Sequence, residues 1–126
     1  MSKLNLELGN SGEDIAVDLL RRNGYRIITR NFRTKSGEID IIAWEADTIC
    51  FVEVKTRQSL KVGFPEESVT PKKQRHASRA ALLFLKNHNL LGKRARFDVV
   101  SVLLSEEKKE SKLIKNAFAL EEGYSY

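Results

Sequence analysis

Two short stretches of sequence, GEIDII at residues 37–42 and FVEVK at residues 51–55, decide how this chain folds. Both are rich in β-branched residues, which favour strands, and both carry acidic residues among the apolar ones. Because side chains alternate between the two faces of a strand, each stretch should present one polar and one apolar face. The two stretches therefore predict neighbouring strands with charged groups gathered on one side.

The alternation assigns individual side chains to these faces. In the first strand, Glu38 and Asp40 are predicted to share one face, and the isoleucine that follows each of them lies on the other. In the second strand, Glu53 and Lys55 are predicted to share one face, opposite two valines.

A hairpin that turns at residues 46–47 would place Asp40 opposite Glu53 and Glu38 opposite Lys55. This register is an assumption, because Ala-Asp is not a strong two-residue turn sequence. Two opposed carboxylates destabilise a sheet and raise one pKa. A divalent cation would relieve both effects, since Mg²⁺ is typically held by one or two carboxylates, waters and substrate phosphates. The hairpin thus predicts a metal site.

Two further residues are candidates for this site. Lys55 could position or help deprotonate an attacking water, or stabilise charge that develops on a phosphate. Glu13 falls on the apolar face of a predicted helix, since it precedes three apolar residues by three, four and seven positions: Ala16, Val17 and Leu20. A carboxylate on that face needs a partner or a metal. A first-turn glutamate favoured by the helix dipole is the alternative explanation.

The remaining elements follow from periodicity and turn residues. Ser11 is a candidate N-cap for the first helix, and Thr70-Pro71 is a candidate N-cap and first-turn proline for the second. The predicted elements are a helix over 13–22, strands over 25–32, 37–44 and 48–56, a loop over 60–70 with Phe64 as a candidate base-stacking or lid residue, a helix over 70–87, a strand over 96–104 and an edge-like strand over 112–119. The order α-β-β-β-α-β-β predicts an α/β fold, a mixed sheet flanked by helices, as a single domain over 1–126.

The composition is that of a soluble, basic protein. Hydrophobic residues make up 41% and charged residues 31% of the 126 residues, and the formal net charge is +5. Such a charge favours polyanions such as nucleic acids. No apolar run approaches the length of a membrane span, no signal peptide is predicted, and the single Cys50 is expected to be a buried, inert thiol. A cytoplasmic location without a membrane partner is expected.

Basic side chains flank the predicted site, and cations at a helix N-terminus oppose the helix dipole unless a phosphate binds there. A solvated polar surface is the alternative. The residues predicted to contact nucleic acid are Arg33, Arg57, Lys72, Lys73 and Gln74.

Several blocks of this sequence resemble the YraN family of uncharacterised bacterial proteins. They lie within residues 9–103 and read NFR at 31–33, GEID at 37–40, FVEVKTR at 51–57, VTP at 69–71 followed by KQ at 73–74, and RFDV at 96–99. An acidic residue on a first helix, an aspartate on a strand and Glu-x-Lys on the next also resemble the PD-(D/E)XK nuclease superfamily. The usual proline before the aspartate of that superfamily is replaced here by Ile39.

This resemblance implies a restriction-endonuclease-like fold, similar to that of archaeal Holliday-junction resolvases. It implies that Glu13, Asp40 and Glu53 hold Mg²⁺ or Mn²⁺, that Lys55 acts with them in catalysis, and that the protein works as a homodimer.

The sequence therefore predicts a metal-dependent endonuclease that hydrolyses phosphodiester bonds of DNA, including branched or structured DNA. The alternative is a nucleic-acid-binding protein that keeps a nuclease fold with little or no catalytic activity. A third hypothesis is a regulatory domain that binds a metal or phosphate without nucleic acid. Fold alone does not decide between them.

Overall fold

The computed structural model describes residues 3–58 and 69–119, with side chains from Ser11 onward. The predicted order of elements is confirmed, while most of the predicted 60–70 loop, with Phe64, lies outside the described residues. Among the described residues, no helix has the length and apolar character needed to cross a membrane. The elements are α1 (Lys3–Arg22), β1 (Tyr25–Arg33), β2 (Glu38–Glu45), β3 (Thr48–Arg57), α2 (Pro71–Asn87), β4 (Ala95–Leu104) and β5 (Lys109–Phe118).

The five strands form one mixed sheet in the order β1-β2-β3-β4-β5. The β3–β4 pair is parallel and the other three pairs are antiparallel. A parallel pair needs a long crossover connection, and α2 lies in that connection. The sheet is therefore a three-stranded antiparallel meander, β1 to β3, and an antiparallel pair, β4 and β5, joined by the parallel pairing of β3 with β4.

One helix covers each face of the sheet, so the core has two halves. On the α1 side, Leu20 packs with Ile41, Val52 and Val100, all essentially inaccessible to solvent. On the α2 side, aromatic rings dominate the packing, and Phe84 makes edge-to-face contacts with Phe32 and Phe51. This three-layer arrangement buries both faces of the central strands.

The start of α1 differs from the prediction. The helix begins at Lys3 rather than Glu13, so Ser11 lies inside the helix and is not its N-cap. The GNSG sequence at residues 9–12 has low helix propensity, which favoured a boundary there, but propensity is a weak prior that packing overrides. By contrast, α2 begins as predicted, with the Thr70 hydroxyl accepting a hydrogen bond of 3.3 Å from the Lys73 N–H.

The close approach of α1 to β3 depends on Gly12. A methyl group there would lie 1.9 Å from Thr56 Oγ1 and 3.0 Å from Thr56 Cβ. We expect Gly12→Ala to lower the free energy of unfolding by about 1–3 kcal/mol, because overpacking outweighs the better helix propensity of alanine. Urea denaturation followed by circular dichroism measures the change. Adding Thr56→Ala should restore part of the loss, and an unchanged midpoint in Gly12→Ala would contradict this contact.

Candidate functional site

The β2–β3 hairpin has the predicted register, and its ladder stops at the site. Pairing runs from Glu45–Thr48 to Ile41–Val52 across a turn at residues 46–47. The predicted Asp40–Glu53 pair would come next, but the two strands separate there.

At this point the Asp40 carboxylate replaces a strand-to-strand hydrogen bond. Its Oδ2 accepts from the Val54 N–H at 2.8 Å. The strands therefore diverge around a fixed aspartate.

The predicted alternation is wrong around Asp40. Ile39 packs in the α2 half of the core and Ile41 in the α1 half, although strict alternation would place them on the same face. In the neighbouring strand β1, Asn31 has a left-handed φ of 54°, which breaks the regular pleat there as well. The irregularity leaves Asp40 between the two faces, directed along the sheet toward Val54.

The predicted arrangement on β3 is confirmed. Val54 packs against the α1 half of the core, while Glu53 and Lys55 lie on the opposite face. The Lys55 Nζ lies 3.1 Å from Glu53 Oε1, with 17% and 27% of the two side chains exposed. This partly buried ion pair places a carboxylate and an ammonium beside the gap that holds Asp40.

The negative charge of the Asp40 carboxylate is poorly compensated by its surroundings. The pKa of Asp40 is raised to about 7, chiefly by burial and then by the charge of Glu53, with smaller contributions from Glu13 and Glu38. The hydrogen bond from the Val54 N–H opposes this shift. A carboxylate held among other carboxylates favours a cation or a proton at this position.

Glu13 approaches the sheet from α1, as predicted, but its carboxylate accepts hydrogen bonds from side chains of β1. Its side chain is 13% exposed, and Oε1 accepts hydrogen bonds from Arg30 Nε at 3.1 Å and Asn31 Nδ2 at 3.2 Å. Its negative charge nevertheless contributes to the raised pKa of Asp40.

The donor set fits a cation held by few protein ligands. Within residues 3–58 and 69–119, no group of three or more His, Cys, Asp or Glu side chains is placed to hold a metal ion. The structure thus does not gather Glu13, Asp40 and Glu53 into one coordination shell. Mg²⁺ commonly uses one or two carboxylates and completes its shell with water and phosphate oxygens. Asp40 and Glu53 are the pair that fits such a site.

A cleft of about 210 Å³ opens beside Glu53, and residues of α2 form part of its lining. It includes Lys73 and His76 in its lining, together with Glu38 at its rim. His76 is half-buried there, and no motif in the sequence points to it. The relevant feature in the sequence is Gly37, where a methyl group would lie 2.5 Å from the His76 carbonyl oxygen. Only a glycine lets β2 begin this close to α2.

The predicted nucleic-acid-binding residues divide into two groups. Lys73 and Arg57 lie close to Lys55, and a hydrogen bond with the Lys55 amine lowers the pKa of Lys73. The other residues point elsewhere: Arg33 is exposed with Nε 3.4 Å from Glu38 Oε2, Lys72 is exposed, and the Gln74 amide donates to the Val69 carbonyl at 2.9 Å.

A second polar cluster lies toward the other end of the sheet and is built around Asp98. This aspartate is 0% exposed, and it accepts hydrogen bonds from Tyr25 Oη at 2.7 Å, Arg96 Nε at 2.9 Å and the Asn116 N–H at 2.9 Å. Asp98 thus anchors the guanidinium of Arg96. Both carboxylate oxygens are engaged by the protein, so this cluster fixes β1, β4 and β5 together.

Cys50 is buried, as predicted. The pKa of its thiol is raised to about 12, chiefly by burial and then by the charge of Asp98. A thiol with so little thiolate is a poor nucleophile and metal ligand.

Comparison with known proteins identifies the family. A model of an uncharacterised protein family, UPF0102, matches residues 12–102. The UPF0102 protein of Caldicellulosiruptor saccharolyticus is 54% identical over 114 residues, covering 89% of this chain and 97% of that protein. The UPF0102 protein of Geobacter metallireducens is 48% identical over 120 residues, covering 95% and 98%.

One similarity to a solved structure is weak. The crystal structure of SSO0001 gives a TM-score of 0.37 at 15% identity, covering 93% of this chain and 54% of that one, and it supports no argument about this protein. The sequence relationships confirm the resemblance to YraN proteins, and the chain belongs to the uncharacterised protein family UPF0102.

Proposed function

We propose that this protein is a metal-dependent endonuclease that hydrolyses phosphodiester bonds of DNA, with branched or structured DNA as a substrate. In this proposal it is a member of the PD-(D/E)XK superfamily. The observation that carries the proposal is Asp40, fixed in the gap between β2 and β3 with its pKa raised by burial and by Glu53, beside Lys55. Carboxylates that can hold a metal ion, next to an ammonium that can neutralise charge on a phosphate, suit the hydrolysis of a phosphodiester.

Each residue has a distinct role in this proposal. Asp40 and Glu53 would hold Mg²⁺ or Mn²⁺, which would polarise the phosphoryl group and lower the pKa of a bound water. Lys55, kept in place by its ion pair with Glu53, would hold the attacking water or neutralise charge on the phosphate. Glu13 would act from α1 through its negative charge, as a positioning residue held by Arg30.

The charge distribution supports DNA as the partner. The chain carries a formal net charge of +5 although acidic residues are concentrated at the site. Basic side chains border that acidic centre, with Lys73 and Arg57 on the α2 side of Lys55. Basic surfaces attract nucleic acids by releasing condensed counterions from the phosphates. An acidic centre within a basic surface suits a metal-dependent phosphodiesterase.

Cleavage assays test this proposal directly. Wild-type protein is incubated with single-stranded, duplex, flap and four-way-junction DNA in Mg²⁺, Mn²⁺ or EDTA. We expect metal-dependent cleavage of at least one substrate, reduced about 10²-fold or more by Glu53→Gln and by Lys55→Gln. Glu106→Gln, an exposed carboxylate in the β4–β5 turn, is the matched control and should cleave like the wild type. Absence of cleavage on all four substrates would contradict the proposal.

A DNA-binding protein without catalytic activity is the second candidate. Two observations favour it: the described residues supply no group of three metal-binding side chains, and Glu53 already pairs with Lys55. This candidate predicts DNA binding that weakens steeply with salt and is unchanged by EDTA. Electrophoretic mobility shifts on the assay samples distinguish it from the endonuclease.

A further inference from the structure

A row of charged residues follows one face of β3. Glu53, Lys55 and Arg57 alternate along the strand, and Lys73 from the first turn of α2 lies against Lys55. The positive charge of Arg57 also contributes to the lowered pKa of Lys73. Three cationic side chains thus crowd together beside one carboxylate, which already forms an ion pair with Lys55. A bound anion would relieve the mutual repulsion of these cations.

Arg57 provides an independent observation. Its Nε is buried, and no residue in the described part of the chain accepts a hydrogen bond from it. A buried donor without an acceptor is rare in folded proteins, since it loses its hydrogen bond to water. A guanidinium cannot escape this cost by losing its proton. An acceptor from outside the described residues would satisfy this donor, and a negatively charged one fits best.

The N-terminal end of α2 also favours a bound anion. Thr70 caps α2, and no acidic residue occupies the first turn, where Lys73 lies instead. The positive end of the helix dipole disfavours cations there and favours anions. Glu38, the other carboxylate at the cleft, is exposed and pairs with Arg33. None of these described groups neutralises Arg57.

We propose that Arg57 and Lys73 form a phosphate-binding site at the end of β3, beside Lys55 and next to the Asp40–Glu53 carboxylates. A phosphate group carries several strong acceptor oxygens, so that one group can accept from the Arg57 Nε and from a lysine together. In DNA this site would take a phosphate other than the one cleaved. That assignment to DNA rests on the proposed function, whereas phosphate binding itself needs neither metal nor cleavage.

The test is a titration of inorganic phosphate into the full chain in EDTA at low ionic strength, followed by NMR amide shifts. We expect saturable binding by the wild type. Arg57→Gln and Lys73→Gln should each weaken it about tenfold or more, because each removes a charge-assisted contact. Arg26→Gln, an exposed arginine on β1, is the matched control and should bind like the wild type. Circular dichroism melts show whether each variant is folded.

Competition distinguishes the source of the phosphate. A short duplex with 5′-phosphates and the same duplex without them are each titrated against bound inorganic phosphate. Equal competition assigns the site to an internal phosphodiester, and competition by the phosphorylated duplex alone assigns it to a terminal phosphomonoester. Non-saturable binding, or folded Arg57→Gln and Lys73→Gln variants that bind like the wild type, would overturn the site. Failure of the endonuclease proposal would instead appear as bound phosphate without cleavage.

Discussion

Asp40→Asn is expected to abolish metal-dependent DNA cleavage and, at the same time, to stabilise the folded protein near pH 8. Both effects have one origin. The carboxylate lies in a partly buried position near Glu53, where its charge is useful for holding a cation but unfavourable for the protein without one. Asparagine removes the charge, and its side-chain oxygen can still accept the hydrogen bond from the Val54 N–H. A variant that loses activity and gains stability marks a functional site.

The pH dependence has a defined sign. Asp40 has a pKa of about 7 in the folded protein against an ordinary 3.8, so the folded state holds a proton that the unfolded state releases. The stability of the wild type should therefore fall as the pH rises from about 4 to about 7, by on the order of a few kcal/mol. Asp40→Asn should lack this fall. The expected difference between the two proteins is small at pH 4 and largest above pH 7.

Urea denaturation in EDTA, at pH 4.5 and pH 8, measures this difference. Addition of Mg²⁺ at pH 8 should raise the stability of the wild type but not of Asp40→Asn, because a ligand that binds only the folded state stabilises it. The exposed Glu106→Gln serves again as the matched control and should leave both values unchanged. A variant less stable than the wild type at pH 8 would show that the protein itself compensates the Asp40 charge.

Asp98→Ala is expected to cause the largest loss of stability among single changes in this chain. It would leave the Tyr25 hydroxyl, the Arg96 guanidinium and the Asn116 N–H without their shared acceptor. Arg96 keeps its ion pair with Glu45, while the Tyr25 hydroxyl and the Asn116 N–H lose their buried acceptor. Removing one partner of a buried ion pair typically costs about 3–5 kcal/mol. That is a large part of the stability of a small domain, about 5–15 kcal/mol. We therefore expect a chain that is largely unfolded at 37 °C.

Thermal and urea unfolding measure this effect. Asp98→Asn keeps the shape and part of the hydrogen bonding, so its loss should be smaller than that of alanine. The matched control is Asp18→Asn, because Asp18 pairs with Arg22 at 3.5 Å on the exposed side of α1. Such a surface pair contributes about 0–1 kcal/mol. A loss below about 1 kcal/mol in Asp98→Ala would show that the buried cluster does not hold β1, β4 and β5 together.

Local signals in the sequence predicted much of this structure. Thr70 and Pro71 fixed the start of α2, since capping depends on residues adjacent in the chain. The order of the elements followed from periodicity, and the hairpin register followed from an assumed two-residue turn. The family resemblance rested on short blocks that include Asp40 and Glu53, and the family is now shown.

The sequence alone determined the family, the order of the elements and the strand face that carries Glu53 and Lys55, because each depends on short-range patterns. The hairpin register was assumed from the sequence, and the structure confirmed it as far as the Ile41–Val52 pair. The tertiary structure decided where α1 begins, how the strands separate at Asp40, and which cations surround Arg57. These features arise where distant segments meet, such as α1 on β3 at Gly12 and α2 on β2 at Gly37. Contacts between distant segments override local propensity and leave no periodic pattern along the chain.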